Sequence, residues 1–306
     1  MDKIFFLKAK EAYQKSRTDE LANDIWKYKH PNEEIDYSDR EYVSWKNSLP
    51  IFLDCLMAAG LDDVYVVFEM KTPISNKAID VLVLGYSDSH ENRVLIVELK
   101  QWSNIYTKKV FDPNKVYIPE AKESRRHPFK QLNLYVNNLK NHHFGIQSEI
   151  NNGCRIVFGK LAYLHNCDNV EALKRDQYAK WEKFDGCAFG KGDKEKQKVI
   201  RVLQNSFISE SNDFLLDTIN NYEAVMGDEG LAGLKKAYSS EASLKMKEDQ
   251  QDIVNYIIEH LKKQKDNPHK EIVVVSGGPG TGKTIVGIRF ILEYVNIFNG
   301  GRNDNK

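Results

Sequence analysis

Three apolar, β-rich runs lie close together in the chain, and they constrain its fold more than any other feature. They occupy residues 64–68, 79–84 and 94–99, and short polar turns separate them. Runs of this composition between turn signals are typical of strands. Because connections this short favour antiparallel pairing, the sequence predicts a three-stranded meander.

Helical patterns flank this meander. Ser38 and Glu41 fit a capping box, in which both side chains bond to free backbone N–H groups. A helix is therefore predicted from about Asp39 to a stop at Gly60. Pro50 is expected to kink or divide this helix.

Elements after the meander complete an order of helix, three strands, helix and strand. A second helix is predicted from Pro128 to about Lys140, and a strand at 154–158 that 161–164 would continue. Residues 3–29 are helical in character, without a strand pattern. We therefore expect an α/β fold in four segments: a helical arm at 1–37, a domain at 38–204, a helical connector at 205–248 and a second domain at 249–306.

Two carboxylates and a lysine are predicted to meet on the meander. Glu98 and Lys100 are two apart on one strand, so they leave the same face, while Asp80 lies in the apolar run before them. Paired carboxylates on neighbouring strands suit Mg²⁺ or Mn²⁺, and a lysine beside them can position a water. The alternative is an exposed charge pair without chemistry.

The E-x-K triplet also begins at Glu69 and Glu120, but neither has an aspartate on a preceding strand. The roles of two further acids stay open. Glu41 either completes the metal site or serves only the capping box, which is favoured, and Glu69 either lies near the site or ends its strand.

The second helix carries Gln131 and Tyr135 four residues apart on one face. Together with Asp80 and Glu98-Leu99-Lys100, this pattern resembles the RecB-type branch of the PD-(D/E)XK nucleases. The resemblance implies a restriction-endonuclease-like core, with Asp80 and Glu98 as metal ligands and Lys100 beside the attacking water. It also implies that Gln131 and Tyr135 orient the metal site or the nucleic-acid backbone. The basic stretch between them is a candidate for phosphate contacts: Lys122, Arg125, Arg126, His127 and Lys130.

Residues 277–284 match G-x-x-x-x-G-K-[ST] in full, after an apolar run at 272–275 that is predicted to be a strand. The glycines let backbone N–H groups surround phosphate oxygens at a helix N-terminus. Lys283 is expected to reach the β- and γ-phosphates and the Thr284 hydroxyl to bind Mg²⁺. The predicted nucleotide-binding loop comprises Gly277, Gly278, Pro279, Gly280, Thr281, Gly282, Lys283 and Thr284.

Upstream, Gln250 lies in a segment that resembles the Q motif of superfamily 1 helicases, whose glutamine reads adenine. The resemblance implies that the nucleotide is ATP. From about Ser38 onward, the nuclease-like segment, connector and GGPGTGKT resemble a family with a Schlafen group 3-like DNA/RNA helicase domain. Only eight residues follow the predicted loop helix, so we expect an incomplete P-loop NTPase segment, missing the rest of its domain, that binds ATP without efficient turnover.

Composition bounds the remaining choices. Lys and Arg total 44, as do Asp and Glu, so nucleic acid must be attracted by local charge clusters. Four scattered cysteines show no zinc spacing, and no apolar run is long enough for a membrane span or a signal peptide, so a cytoplasmic protein is expected.

The sequence thus predicts a metal-dependent nuclease acting on DNA, or less favourably RNA, coupled to an ATP-driven helicase or translocase. By analogy alone, such a protein belongs to phage defence or DNA repair. The alternatives are a catalytically silent nucleic-acid-binding module attached to an ATP-binding domain, and an ATP-binding switch.

Overall fold

A computed structural model of the chain describes residues 4–72, 75–106, 112, 114–174, 187–221, 248–264, 272–278 and 280–298. It divides the chain into two compact units, Met1–Val225 and Met226–Lys306. The first unit therefore extends beyond residue 204, at which the sequence pattern ended the nuclease-like domain.

Strands of the first unit form a mixed sheet and a separate hairpin. In chain order they are β1 (Phe5–Lys8), β2 (Tyr65–Thr72), β3 (Ser75–Tyr86), β4 (Asn92–Leu99), β5 (Lys115–Ile118), β6 (Glu123–Arg126), β7 (Ile156–Tyr163) and β8 (Ala188–Phe189). The sheet has the order β1-β2-β3-β4-β7-β8, and β5 pairs with β6. Pairing is antiparallel from β1 to β4 and parallel from β4 through β7 to β8.

Helices lie on both faces of this sheet. They are α1 (Ala9–Ser16), α2 (Glu20–Lys29), α3 (Arg40–Ala58), α4 (Pro128–His142), α5 (Phe144–Asn151), α6 (Asp193–Ser206) and α7 (Asp213–Asn220), with a short 3-10 helix at Val170–Lys174. One buried cluster joins α1, α2, α3 and α6 to one face, and another joins α4, α5, α7 and the hairpin to the other. The predicted α/β class and the antiparallel meander are confirmed. Between β4 and α4, however, the hairpin β5–β6 adds two strands that the predicted element order lacked.

Caps explain the bounds of α3. Asp39, rather than Ser38, is the N-cap, and its carboxylate accepts hydrogen bonds from the backbone N–H groups of Glu41 and Tyr42. The predicted capping box is therefore wrong. At the other end Gly60 has φ 75°, the left-handed conformation that ends helices, as predicted. The helix runs through Pro50 as one element.

The N-terminal segment is not a separate helical arm. β1 pairs with β2 at the edge of the sheet, so the expectation of helix without strand for residues 3–29 is wrong there. The first part of the predicted connector also belongs to the first unit, because Leu215 and Ile219 of α7 are fully buried in its core. Residues 222–247 of that connector lie outside the described residues.

In the second unit, α8 (Glu248–Gln264) packs against α9 (Lys283–Phe298) through Val254, Ile258 and Val286. The predicted strand at 272–275 is not formed within the described residues, where Ile272 and Val274 are more than 80% exposed. A strand needs a hydrogen-bonded neighbour, and the described part of this unit supplies none to this segment. None of the described helices has the combination of length and apolar character needed to span a bilayer.

Candidate functional site

The meander brings Asp80 and Glu98 together. The register that pairs Val81 of β3 with Val97 of β4 places Asp80 beside Glu98 on the same face of the sheet. The Leu99 backbone N–H donates a hydrogen bond of 2.7 Å to Asp80 Oδ2, which ties the aspartate to the adjacent strand. This is the placement that the sequence predicted for the two acids.

Lys100 completes the group. Its backbone N–H donates to the Tyr163 carbonyl at 3.0 Å, so the parallel strand β7 fixes the residue just after β4. Its ammonium forms an ion pair with Glu98 Oε1 and lies over the ring of Trp102, 5.6 Å from the centroid. The structure therefore places the predicted lysine against the predicted acid.

Glu98 is an unusual buried carboxylate. It is 0% exposed, and its Oε2 atom accepts no hydrogen bond from any residue in the described part of the chain. Buried polar atoms without a partner carry a cost of about 1–3 kcal/mol, and more when charged, so each one requires an explanation. A cation held at Oε2 would supply one.

Burial and neighbouring charges shift the pKa values of all three groups at this site. Burial, and then the Asp80 charge, raise the pKa of Glu98 to about 8. Burial likewise raises the pKa of Asp80, against the opposing effect of Lys100. Burial lowers the pKa of Lys100, but the two acids outweigh it and the net pKa is raised. Lys100 therefore stays protonated, and a further positive charge beside Asp80 and Glu98 would favour the ionised form of both carboxylates.

Glu69 joins the site from β2, which answers the question that its sequence position left open. Its backbone has φ 50°, and its side chain accepts hydrogen bonds from Trp45 Nε1 at 2.8 Å and Lys29 Nζ at 2.9 Å. Burial, then Asp80, raise its pKa to about 7. Lys29 also bonds to Glu41 at 2.7 Å, so Glu41 serves an ion pair and not the capping box.

No local signal pointed to Lys29 or Trp45 as neighbours of the site. Lys29 is 40 residues from Glu69, and Trp45 is 24 residues from it. Only the packing of α2 and α3 beside the end of β2 brings the three side chains together.

Gln131 and Tyr135 connect α4 to strand β3 by hydrogen bonds. Gln131 Nε2 donates to the Tyr135 hydroxyl at 2.7 Å, and this hydroxyl donates to the Ala78 carbonyl at 2.7 Å. Ala78 precedes Asp80 by two residues on β3. Burial, then Glu98 and Asp80, raise the pKa of Tyr135, so the phenol stays protonated near both acids. The pair therefore positions the strand that carries Asp80.

The predicted basic stretch forms part of the β5–β6 hairpin and the start of α4. All of β6 is exposed, including Arg125 and Arg126. His127 was wrongly grouped with these cations, because it is fully buried and accepts the Phe129 N–H as the N-cap of α4. The other predicted phosphate contacts are Lys122, in an exposed turn, and Lys130, half-buried on α4.

The hairpin cations act electrostatically on Lys77, a residue that no sequence pattern indicated. Burial, and then the charges of Arg126 and Lys100, lower the pKa of Lys77 on β3. Arg125 acts in the same direction on the pKa of Lys100. The hairpin cations therefore act electrostatically on Lys77 and on the lysine of the candidate site.

The donor set at Asp80 and Glu98 fits a hard divalent ion. Within the described ranges, no group of three or more His, Cys, Asp or Glu side chains is arranged to hold a metal. Mg²⁺, however, is commonly held by only one or two carboxylates and keeps several waters. Glu98 Oε2, which accepts no hydrogen bond, is the atom that such an ion would satisfy.

The second unit carries the glycine-rich loop at the start of α9. Lys283 Nζ donates to the carbonyls of Gly277 and Gly278 at 2.7 and 2.8 Å, and the Thr281 hydroxyl donates to Gly278 at 2.8 Å. Thr284 is exposed in the first turn of α9, where the prediction requires it to meet a metal. Gly280 also lies in the described part of the loop, and Pro279 lies outside the described residues.

Gln250 of α8 contacts this loop. Its Nε2 donates to the Thr281 carbonyl at 2.9 Å. Gly282, the next residue of the loop, has φ 82°, a left-handed conformation that favours glycine. A cavity of about 310 Å³ is lined by Gln250, Gly277 and Lys283, within the size range of small-ligand sites.

Comparison of this chain with protein-family models, with curated proteins and with solved structures finds no match.

Proposed function

We propose that the first unit is a Mg²⁺- or Mn²⁺-dependent nuclease that hydrolyses phosphodiester bonds of DNA, with RNA as the less favoured substrate. The observation that carries this proposal is the Asp80, Glu98 and Lys100 group on adjoining strands. In it a fully buried carboxylate contacts an ammonium and leaves Oε2 without a hydrogen-bond donor. Such an arrangement is costly for a structural site and useful for a metal-binding one.

Each residue has a distinct part in the proposed reaction. Asp80 and Glu98 would hold the divalent ion, which when bound polarises the phosphoryl group and lowers the pKa of a water. Lys100 stays protonated between the two acids and offers N–H donors to the attacking water or to a phosphate oxygen. The Leu99 N–H keeps Asp80 in register with Glu98.

Surrounding residues support this group. Tyr135 and Gln131 fix β3 just before Asp80. Glu69 forms a second acid–lysine pair, with Lys29, on the neighbouring strand β2. Lys77 and Arg126 offer positive charge to the phosphates that flank the scissile bond. Cleavage therefore rests on positioned charge more than on any single contact.

For the second unit, the P-loop supports a proposal of ATP binding. Lys283 bonds to loop carbonyls, and phosphate oxygens would offer it stronger, charge-assisted partners. Gln250, on the wall of the same cavity, is the proposed adenine reader. Coupling to a helicase or translocase, and a role in phage defence or DNA repair, follow only from the resemblance seen in the sequence.

Cleavage assays on plasmid and single-stranded DNA with Mg²⁺ or Mn²⁺ test the nuclease proposal. Asp80→Asn, Glu98→Gln and Lys100→Met should each lower the rate by at least about 100-fold. Glu120→Gln is a matched control, because Glu120 begins the same E-x-K triplet in an exposed turn. Cleavage at the wild-type rate by all three site variants would refute the proposal. Undiminished DNA binding in EDTA, with no cleavage under any divalent ion, would instead favour the silent binding module.

A further inference from the structure

One face of the β5–β6 hairpin combines aromatic and basic side chains. In the register, Lys115 pairs with Arg126 and Tyr117 with Ser124. Residues opposite each other, or two apart along a strand, point to the same face. These four side chains therefore share one face, while Val116 and Ile118 on the other face are buried in the core.

Tyr106 extends this face by one position. It pairs with Tyr117 through two backbone hydrogen bonds, from Tyr106 N–H to Tyr117 at 3.0 Å and from Tyr117 N–H to Tyr106 at 3.3 Å. The Tyr106 side chain consequently lies beside that of Tyr117, and Tyr106 is 54% exposed. We name the surface formed by Tyr106, Lys115, Tyr117, Ser124 and Arg126 the platform face.

The charge of the platform face is positive. Lys115 and Arg126 are both exposed, and no carboxylate in the described ranges forms an ion pair with Arg126. Glu123 belongs to the opposite face, since it pairs with Ile118 and neutralises Arg125. The face therefore attracts anions, and its exposed ring attracts a flat partner.

The platform face is linked along the chain to the candidate catalytic site. Tyr106 follows Lys100 by six residues, so their Cα atoms are at most about 22 Å apart. Arg126 acts electrostatically on Lys77 together with Lys100. Immediately after Arg126 the chain turns into α4, which carries Gln131 and Tyr135.

We propose that the platform face binds single-stranded DNA and leads it to the Asp80 and Glu98 site. The Tyr106 ring stacks on a base, while Lys115 and Arg126 hold the adjoining phosphates. Base faces are available to a side chain in a single strand, whereas in a duplex they are covered by stacking, and aromatic residues beside cations are the usual means of binding such strands. The route to a catalytic site rests on the proposed nuclease function, but the binding surface does not.

The test measures binding of a fluorescent oligothymidine and of a matched duplex to the full chain by anisotropy in EDTA, where cleavage is blocked. Tyr106→Ala should weaken single-strand binding about tenfold, and Tyr106→Phe should keep it within about twofold. The double variant Lys115→Gln/Arg126→Gln should reduce the slope of log K against log salt by about 1.4, while Tyr106→Ala leaves the slope unchanged. Arg201→Gln, an exposed change on α6 at the other face of the sheet, is the control.

Equal affinity of wild type and Tyr106→Ala, or binding of duplex as tight as that of single strand, would overturn the platform. A wild-type protein that binds oligothymidine through Tyr106 but cleaves no DNA would refute the nuclease proposal and leave the platform supported. The two failures are therefore distinguishable.

Discussion

Replacing Tyr135 with phenylalanine tests how α4 supports the candidate site. The hydroxyl is buried with its side chain, which is 3% exposed, and it makes two hydrogen bonds of 2.7 Å, from Gln131 and to the Ala78 carbonyl. Each bond contributes about 1 kcal/mol, so Tyr135→Phe should lower the free energy of unfolding by about 2 kcal/mol. Urea denaturation followed by circular dichroism measures this change.

The same substitution should also slow cleavage, because it displaces the Asp80 carboxylate. Loosening β3 two residues before Asp80 misplaces a carboxylate, and kcat should fall roughly tenfold to a hundredfold while KM for DNA stays the same. Tyr65→Phe is the matched control, because the Tyr65 hydroxyl donates to Asp213 at 2.7 Å in an exposed setting. Water replaces that bond, so the control should lose less than about 1 kcal/mol and keep its activity.

Two results would refute this reasoning. If Tyr135→Phe unfolds at the wild-type urea concentration, the hydroxyl does not hold β3. If it is fully stable and yet loses cleavage, Tyr135 acts directly on the substrate, and its role as a positioning residue is wrong.

Three further predictions concern other parts of the chain. Burial lowers the pKa of His143, which caps α5 by accepting the Ile146 N–H, from 6.5 to about 4. The neutral imidazole therefore stabilises the fold above pH 6.5, and about 3 kcal/mol of the free energy of unfolding is lost as pH falls to 4. His143→Asn should make the free energy of unfolding less dependent on pH between 6.5 and 4, as measured by denaturation at each pH. In EDTA the raised pKa of Glu98 makes wild-type stability decline as pH rises from 4.5 to about 8. Glu98→Gln should remove this decline, and should also remove the stabilisation of about 1.4 kcal/mol that Mg²⁺ gives at ten times its Kd; a Mg²⁺-induced rise in Tm that survives in the variant would contradict the metal site. Lys283→Ala should weaken binding of fluorescent ATP at least about tenfold, whereas Lys262→Ala, at an exposed position of α8, should not; equal affinity in both would show that the P-loop does not bind the nucleotide.

Local patterns were sufficient to predict the elements that carry the site. Apolar, β-rich runs and short turns predicted the meander, and the two-residue spacing of Glu98 and Lys100 placed them on one face. Helix signals at Pro128 and Gly60 were also read correctly, because proline suits a first helical turn and glycine a left-handed C-terminus.

The features that could not be predicted from the sequence depend on contacts between distant segments. β1 is only four residues long and gains its strand geometry from pairing with β2. Glu69, which bonds to Lys29 and Trp45, has a left-handed backbone conformation that its residue type does not predict. The burial of His127 likewise follows from its contact with the Leu173 carbonyl, 46 residues away.

The central claim is that Asp80 and Glu98 bind one divalent ion. The most direct test is to soak crystals of the protein in Mn²⁺ and record the anomalous signal. An ion bound by both Asp80 and Glu98, with Lys100 beside it, is the predicted result, and crystals of Glu98→Gln should lose the peak. A wild-type crystal with no anomalous peak at these carboxylates, under conditions in which the protein cleaves DNA, would contradict the account.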